Sequence, residues 1–403
     1  MYRGTYVEVD VANLKHNINE LIKCCPKYKY FFGVVKGNAY GHGYEIAKYL
    51  LDTKINYLAV ASLEEALEVR KYNKQTPILC LEPISVAYLD ICIQNNVAIT
   101  VHCIEYVESL KKWLSENKIE GNNTLKIHIK IDSGMNRLGF KDNEEVNAVY
   151  NDFVLNKLNN VLVEGIYTHF ATTGFLDKEW DNQLDNLKKI TKGIDLTKIP
   201  IVHLDRSITC VTHPNIEFAN GARFGLAMYG YTVEKKTKPV TIKEKLLELK
   251  HKRTKQKYNI SEVDLENIPT LKPVLSLKTN IIQIKKIKKG EFVGYGAMYR
   301  AKEDEYIATL PIGYADGIDL RNLGRMVYIN SNPYKIVGTV CMGMISVKVD
   351  ERVKLGDVVE IIGRNIDAQI ISKYTGQSTY SVITNISYEV PRKYIERWGL
   401  FKW

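Results

Sequence analysis

Tyr30-Phe31-Phe32-Gly33-Val34-Val35-Lys36-Gly37-Asn38-Ala39-Tyr40-Gly41-His42-Gly43 is the stretch on which the reading of this chain turns. Phe31–Val35 carries two aromatics, two β-branched residues and no charge, the pattern of a buried strand. Lys36 follows at once. An amine at the end of a buried strand is poorly solvated, a setting in which lysine serves as nucleophile or base. Three glycines and a tyrosine come next, so backbone can approach a ligand closely. A snorkelling lysine before a glycine-rich turn is the plain alternative, and this segment alone does not separate the two.

Outward from it, short apolar segments recur at Tyr57–Ala61, Pro77–Leu81, Ala98–Val101, Leu125–Ile131, Val163–His169, Ile201–Leu204 and Ala222–Phe224. Helical patterns separate several of them. Asp10 is placed to cap a helix over Val11–Cys24, with Leu14, Ile18 and Leu21 on one face. Ser62-Leu63-Glu64-Glu65 reads as a capping box opening a helix through Tyr72. Eight strands alternating with helices predict an α/β fold, a (β/α)8 TIM-type barrel over residues 10–232.

Residues 233–269 differ: they are lysine-rich and poorly apolar, an insertion or linker in which Thr241–Arg253 reads as a charged helix. Residues 270–403 show β-branched alternation at Ser276–Ile284, Tyr306–Pro311, Val327–Ile329, Val337–Val340, Ser346–Val349 and Val358–Ile362. Lys354-Leu355-Gly356-Asp357 reads as a turn before the last of these. A C-terminal, mainly β domain is predicted.

A chain of 403 residues, 45% hydrophobic and 25% charged, has room for two globular domains. No apolar run approaches bilayer length, and Arg3, Glu8 and Asp10 argue against a secretory signal. The seven cysteines are odd in number and form no CxxC, which favours reduced thiols in a cytoplasm over disulfides or a metal site. The net charge of +10 gathers in residues 234–257 and in Lys285, Lys286, Lys288 and Lys289. No interleaved aromatics and no helix-turn-helix or zinc-finger spacing accompany it, so a solvated basic surface is expected rather than a nucleic-acid site.

The Lys36 segment resembles the pyridoxal-phosphate attachment motif of alanine racemases, and later segments resemble the same family in the same order. They are Asp132-Ser133-Gly134-Met135-Asn136-Arg137-Leu138-Gly139, then Tyr167-Thr168-His169-Phe170-Ala171-Thr172, then Arg223-Phe224-Gly225-Leu226-Ala227-Met228-Tyr229-Gly230. Gly294-Tyr295-Gly296-Ala297, Gly313-Tyr314-Ala315-Asp316-Gly317, Cys341-Met342 and Val390-Pro391-Arg392 follow. The resemblance implies an isomerase that interconverts L- and D-alanine, with serine the next candidate substrate. It implies pyridoxal 5'-phosphate as cofactor, a homodimer with shared active sites, no metal, and D-alanine supply for cell-wall synthesis. It also implies that the N-terminal strand, residues 1–9, joins the β domain.

Roles follow from the same resemblance. Lys36 would be the Schiff-base lysine and one acid–base group. Tyr295, reaching across from the partner subunit, would be the other. Tyr40, Ser207, the backbone of Gly225 and Leu226, and Tyr380 would hold the cofactor phosphate. Tyr380 is preferred to Tyr388 by counting back from Val390-Pro391-Arg392. Arg223 would face the pyridine nitrogen with His169 buttressing it. Arg137 would bind the substrate carboxylate and the cofactor's phenolic oxygen, Met342 would offer the carboxylate its backbone N–H from the partner, and Tyr314 would line the entrance. Lys130 stands where some members carry a carbamylated lysine, an ordinary strand lysine being the other reading. Lys36, Arg137, His169, Ser207 and Arg223 all fall at or just after the C-terminal ends of predicted strands, where such a barrel carries its chemistry.

Two residues depart from the family pattern: Gly343 where aspartate usually follows the Cys-Met pair, and Arg206 where asparagine commonly precedes the serine. Two further readings share the cofactor. One is an amino-acid decarboxylase of the same architecture, with Cys341 as its cysteine; the other is a non-catalytic pyridoxal-phosphate protein, which would resemble the barrel alone. The Cys341-Met342 setting and a β domain bearing Tyr295 favour the racemase.

Overall fold

The computed structural model describes residues 3–121, 123–156, 160–171, 178–231 and 269–396. The expected helix Thr241–Arg253 therefore lies outside the described residues, as does nearly all of the lysine-rich segment. Eight parallel strands form a closed barrel: β2 (Tyr30–Val34), β3 (Tyr57–Val60), β4 (Ile78–Cys80), β5 (Val97–Val101), β6 (Leu125–Lys130), β7 (Val161–Tyr167), β8 (Ile201–Arg206) and β9 (Gly221–Phe224). Closure comes from β2, which pairs with both β3 and β9. Each expected barrel strand forms, with small shifts at its ends. Strands buried on both faces read as unbroken apolar runs, which is why they were visible in the sequence.

The barrel is not filled by aliphatic layers alone. Phe32 stacks on Tyr57 at 4.5 Å and on His203 at 4.4 Å, and Tyr167 stacks on the same imidazole at 4.7 Å. Among the described residues no helix is long and apolar enough to cross a membrane, and no group of three or more His, Cys, Asp or Glu side chains is placed to hold a metal ion. The seven cysteines are free thiols.

Asp10 caps the helix Val11–Lys23, accepting from the Asn13 amide at 2.9 Å. Ser62 likewise caps Leu63–Arg70. The reciprocal half of the expected capping box does not form. Glu65 instead accepts from the amides of Gly37 and Ala61, each at 2.7 Å. A carboxylate shared by two backbone donors makes two charge-assisted bonds where the box offers one, and this one ties the turn after β2 to the end of β3.

The second layer of the molecule is a nine-stranded sheet in the order β11-β14-β17-β16-β15-β18-β10-β1-β19. Its strands are β1 (Tyr6–Asp10), β10 (Leu275–Asn280), β11 (Gln283–Ile287), β14 (Glu305–Leu310), β15 (Met326–Ile329), β16 (Asn332–Val337), β17 (Ile345–Val349), β18 (Val358–Ile362) and β19 (Arg392–Ile395), while β12 (Phe292–Val293) and β13 (Tyr299–Arg300) form a separate ribbon. β1 pairs antiparallel with β10 and parallel with β19.

Two expectations change here. Ser276–Ile284 is not one strand. The Ile281 amide bonds to Asp357 and the Ile282 amide to Thr309, so the chain crosses from one part of the sheet to another at that point. The strand expected at Val337–Val340 lies earlier and ends at Val337, because Gly338 turns into the left-handed region at φ +68°.

Candidate active site

Lys36 follows β2 at the C-terminal mouth of the barrel and opens a turn that the sequence did not announce. Gly37, Asn38, Ala39 and Tyr40 all have φ between +51° and +61°. Three of the four are not glycine, and each such residue costs about 1–2 kcal/mol in this conformation. Backbone bonds from Ala39 to Val35 (2.8 Å), Gly41 to Gly37 (3.1 Å) and Gly43 to Asn38 (2.8 Å) hold the turn, with Glu65 gripping its first amide. Strain of this kind, over-determined by its surroundings, is characteristic of functional turns.

The β domain grips the same turn from the other side. Arg392 donates to the Gly41 carbonyl at 3.0 Å and Tyr394 to that of His42 at 2.9 Å. A Cβ on Gly41 would sit 2.0 Å from the Ile383 carbonyl, so no side chain fits there. The Val390-Pro391-Arg392 motif thus fastens the lysine turn to the second domain.

Several predicted residues converge at this mouth. A Cβ on Gly225 would lie 2.9 Å from the Tyr40 hydroxyl, so Gly225 leaves a cradle beside it. The Gly225 amide donates to Ser207 Oγ at 2.9 Å. Tyr380, on the helix Thr379–Thr384 of the β domain, brings its ring to 5.9 Å from that of Tyr40. Tyr388 instead lies against Tyr44, 6.4 Å away. Arg206 completes this side: its Nε is buried without a hydrogen-bond partner.

Arg223, in β9, is buried. Its Nη1 bonds to His203 Nδ1 at 2.9 Å and to the His203 carbonyl at 2.5 Å; its Nη2 bonds to the carbonyls of Thr168 at 2.6 Å and Leu204 at 3.2 Å. The Nε–H is the donor left over. Burial lowers this guanidinium to about 10, which keeps it cationic at neutral pH.

The residue bonded to Arg223 is His203, where His169 was expected. His169 makes no hydrogen bond to the guanidinium among the described contacts. It is neutral, pushed down to about 2 by burial first and then by the charge of Arg223.

His203 begins a chain that sequence reading missed. Because Arg223 can only donate, His203 Nδ1 must accept, which leaves Nε2 as the protonated nitrogen. His203 Nε2 then donates to His128 Nδ1 at 2.9 Å, and His128 Nε2 donates to Glu164 at 3.3 Å. Glu164 also receives Tyr57 at 2.5 Å and an ion pair from Lys126 at 3.3 Å. Burial works against the Glu164 charge, yet its bonds from His128 and Tyr57 hold it at about 2. A signal was present: His128 and His203 are polar interruptions of strongly apolar strands.

Lys130 is buried, with Nζ 3.3 Å from the Ile131 carbonyl and 4.7 Å above the Tyr167 ring. Burial, then Arg223 and Arg137, push its ammonium well below the ordinary lysine value. Arg137 is exposed on the loop after β6. Asp132 shapes that loop by accepting the amides of Gly134 and Asn136.

Tyr295, Tyr314 and Met342 form a second group, on the exposed edge of the β domain, 76%, 45% and 62% exposed. Thr339 donates to the Tyr295 carbonyl at 2.8 Å, and the Tyr314 and Ala315 amides bond to the carbonyls of Cys341 and Met342, each at 3.0 Å. Gly313 permits this approach, since a Cβ there would lie 2.2 Å from the Cys341 carbonyl. No hydrogen bond or ring contact among the described residues joins this group to Lys36 within one chain.

Residues 9–233 match the alanine racemase N-terminal domain and residues 274–394 the alanine racemase C-terminal domain. The chain is 35% identical to alanine racemase 1 of Clostridium acetobutylicum, over 99% of this chain and 97% of that one. Among solved structures, alanine racemase of Clostridium difficile 630 superposes with a TM-score of 0.84 at 31% identity, covering 98% of this chain and 97% of that one. Alanine racemase from Bacillus anthracis with bound L-Ala-P gives 0.81 at 32% identity, covering 98% and 96%.

The buried imidazoles set the response to acid. Burial pushes His42 to about 3 and His169 to about 2, and holds His128 and His203 below the ordinary histidine value. In the unfolded chain all four ionise near pH 6.5. Below that pH the unfolded chain binds protons that the folded chain refuses, so stability falls as pH drops. Glu164 adds to the loss from about pH 4.5 downward. The unfolding free energy from urea titrations should fall as pH drops through about 6.5, by up to about 1.4 kcal/mol per pH unit for each histidine. A free energy unchanged down to about pH 5 would contradict neutral burial of these rings.

Proposed function

Because the chain belongs to the alanine racemase family, we propose that it is a pyridoxal 5'-phosphate-dependent racemase interconverting L- and D-alanine as a homodimer. One observation carries the reading. Around Lys36 the barrel mouth gathers a cradle of Tyr40, Ser207 and Gly225, an orphaned cationic nitrogen on Arg206, and a fixed guanidinium with one unused donor. The cradle fits a phosphate and the Arg223 Nε–H fits an aromatic ring nitrogen, so the residues present suit the cofactor. When bound to substrate, pyridoxal phosphate withdraws electrons from the α-carbon and makes its proton removable.

Lys36 Nζ takes the α-proton on one face, and Tyr295 of the partner subunit returns a proton on the other; in the reverse direction the roles exchange. Tyr295 lies exposed with Tyr314 and Met342, as a group that completes a neighbour's site would. Arg223 would offer the ring nitrogen a hydrogen bond but no proton, because it is cationic and stays so near pH 7. That keeps the ring a moderate electron sink and disfavours side reactions. Arg137 takes the substrate carboxylate with its planar fork. The decarboxylase reading rests on Cys341, and no feature of the site favours it. Seven free thiols accord with a cytoplasmic enzyme.

Lys130 carries a carbamate on this reading. Its depressed ammonium supplies a neutral amine, which forms an N–C bond to carbon dioxide and releases a proton to solvent. The resulting anion faces Arg137 and Arg223. Holoenzyme equilibrated with 13C-bicarbonate should show a carbamate resonance that is lost in Lys130→Gln; an identical spectrum for the two proteins leaves Lys130 an ordinary lysine.

Pyridoxal phosphate and a panel of L-amino acids, assayed by chiral chromatography, test the whole reading. D-alanine should appear, and Lys36→Ala should abolish it. Amines, or no product from cofactor-loaded protein, would overturn racemisation. Gly343 has nothing within 4 Å of a built Cβ, so an aspartate fits there. Gly343→Asp should reduce D-serine formation more than D-alanine formation; an unchanged ratio removes Gly343 as the residue that widens the entrance.

A further inference from the structure

Two arginines stand at the barrel mouth in opposite circumstances. Arg223 is saturated on both of its terminal nitrogens by carbonyls and His203. Arg206 ends β8, one residue before Ser207, and its guanidinium makes no hydrogen bond or ion pair among the described residues. Its Nε is fully buried and unpartnered. The residue as a whole is half-buried, and a cation partly withdrawn from water with no counter-charge beside it is destabilised until an anion answers it. The neighbours that bear on its charge are the hydroxyls of Tyr380 and Tyr40, neither of them a carboxylate.

The same two hydroxyls border the cradle of Ser207 and Gly225. Hydroxyls and amides donate hydrogen bonds to an anion but bring no formal charge. We propose that Arg206 supplies the positive charge of this anion subsite and binds the cofactor phosphate as its dianion. Affinity for the phosphate group, and not for the ring, then depends on this residue. The inference rests on the reading of the mouth as a pyridoxal-phosphate site and goes beyond it, because the hydroxyl-and-amide cradle alone would bind phosphate without a resident cation.

Two ligands separate the contributions: pyridoxal phosphate, and pyridoxal, which has the same ring and no phosphate. Full-length chain freed of cofactor is titrated with each, followed by absorbance, as wild type, Arg206→Asn and Arg206→Lys. Arg206→Asn should weaken pyridoxal phosphate by about tenfold or more, the scale of one charge-assisted contact. It should leave pyridoxal nearly unchanged, while Arg206→Lys keeps most of the phosphate preference. Inorganic phosphate should compete with pyridoxal phosphate in the wild type and lose most of that effect in Arg206→Asn.

A measurement on the wild type alone guards against a misfolded variant. Free phosphate monoesters take up their second proton near pH 6. In the loaded enzyme the 31P resonance should stay at its dianion position well below that. Equal losses for both ligands, no loss for either, or a bound phosphate that titrates near 6 would each overturn the role of Arg206. Failure of wild-type protein to bind pyridoxal phosphate would overturn the site reading itself, whereas tight binding indifferent to Arg206 overturns this inference alone.

Discussion

The guanidinium of Arg223 lies inside a closed parallel barrel, shielded from solvent, and it stays charged at neutral pH. Such a group is tolerable only if its donors are met and its charge is answered. Three backbone carbonyls and one imidazole meet the terminal donors. Asp205, buried beside the guanidinium, is the carboxylate that acts on its charge, while His203 and His128 link it by hydrogen bonds to Glu164, so two neutral rings carry one polarised line from the mouth into the barrel interior. This line dictates much else: aromatic rings rather than aliphatic chains pack against the imidazoles, and both histidines must remain neutral. Gly165 must be glycine, since a Cβ there would sit 2.3 Å from His128 Nδ1.

The lysine turn is the second constraint, and it joins the two domains. Its left-handed residues are unfavourable on their own. Glu65 holds them from the barrel, Arg392 and Tyr394 from the β domain. The same packing delivers Tyr380 to the side of Tyr40. Domain docking and the proposed phosphate subsite are therefore one arrangement: loosening Arg392 would disturb the turn that carries Lys36.

The barrel was legible because its strands are buried on both faces and read as continuous apolar runs. The β domain was legible in outline but not in register. Ile281 and Ile282 look like mid-strand residues, and only their bonds to different strands reveal the crossing. The left-handed turn was hidden because Asn38, Ala39 and Tyr40 give no glycine signal for it. Glu65 departs from the local pattern for a related reason: its spacing favours a capping box, and a long-range partner, the Gly37 amide, competes for the carboxylate. The buttressing role of His169 rests on the family resemblance, and neither that motif nor strand-end position tells which ring meets the guanidinium; His203 Nδ1 does, at 2.9 Å. Tyr295 is unremarkable by pattern and acquires a role only from resemblance and from its exposure beside Tyr314 and Met342.

The central claim is that one chain carries two incomplete halves of a site, the cofactor half at the barrel mouth and the proton-returning half on the β domain's edge. Mixed dimers test this directly. Chains bearing Lys36→Ala are combined with chains bearing Tyr295→Phe, hetero-dimers are isolated by orthogonal tags, and racemisation is measured. In a shared site each hetero-dimer contains one intact pairing of Lys36 with Tyr295, so activity returns though both parents are inactive. Verified hetero-dimers as inactive as their parents would contradict the account, because they would place both groups of each site in a single chain.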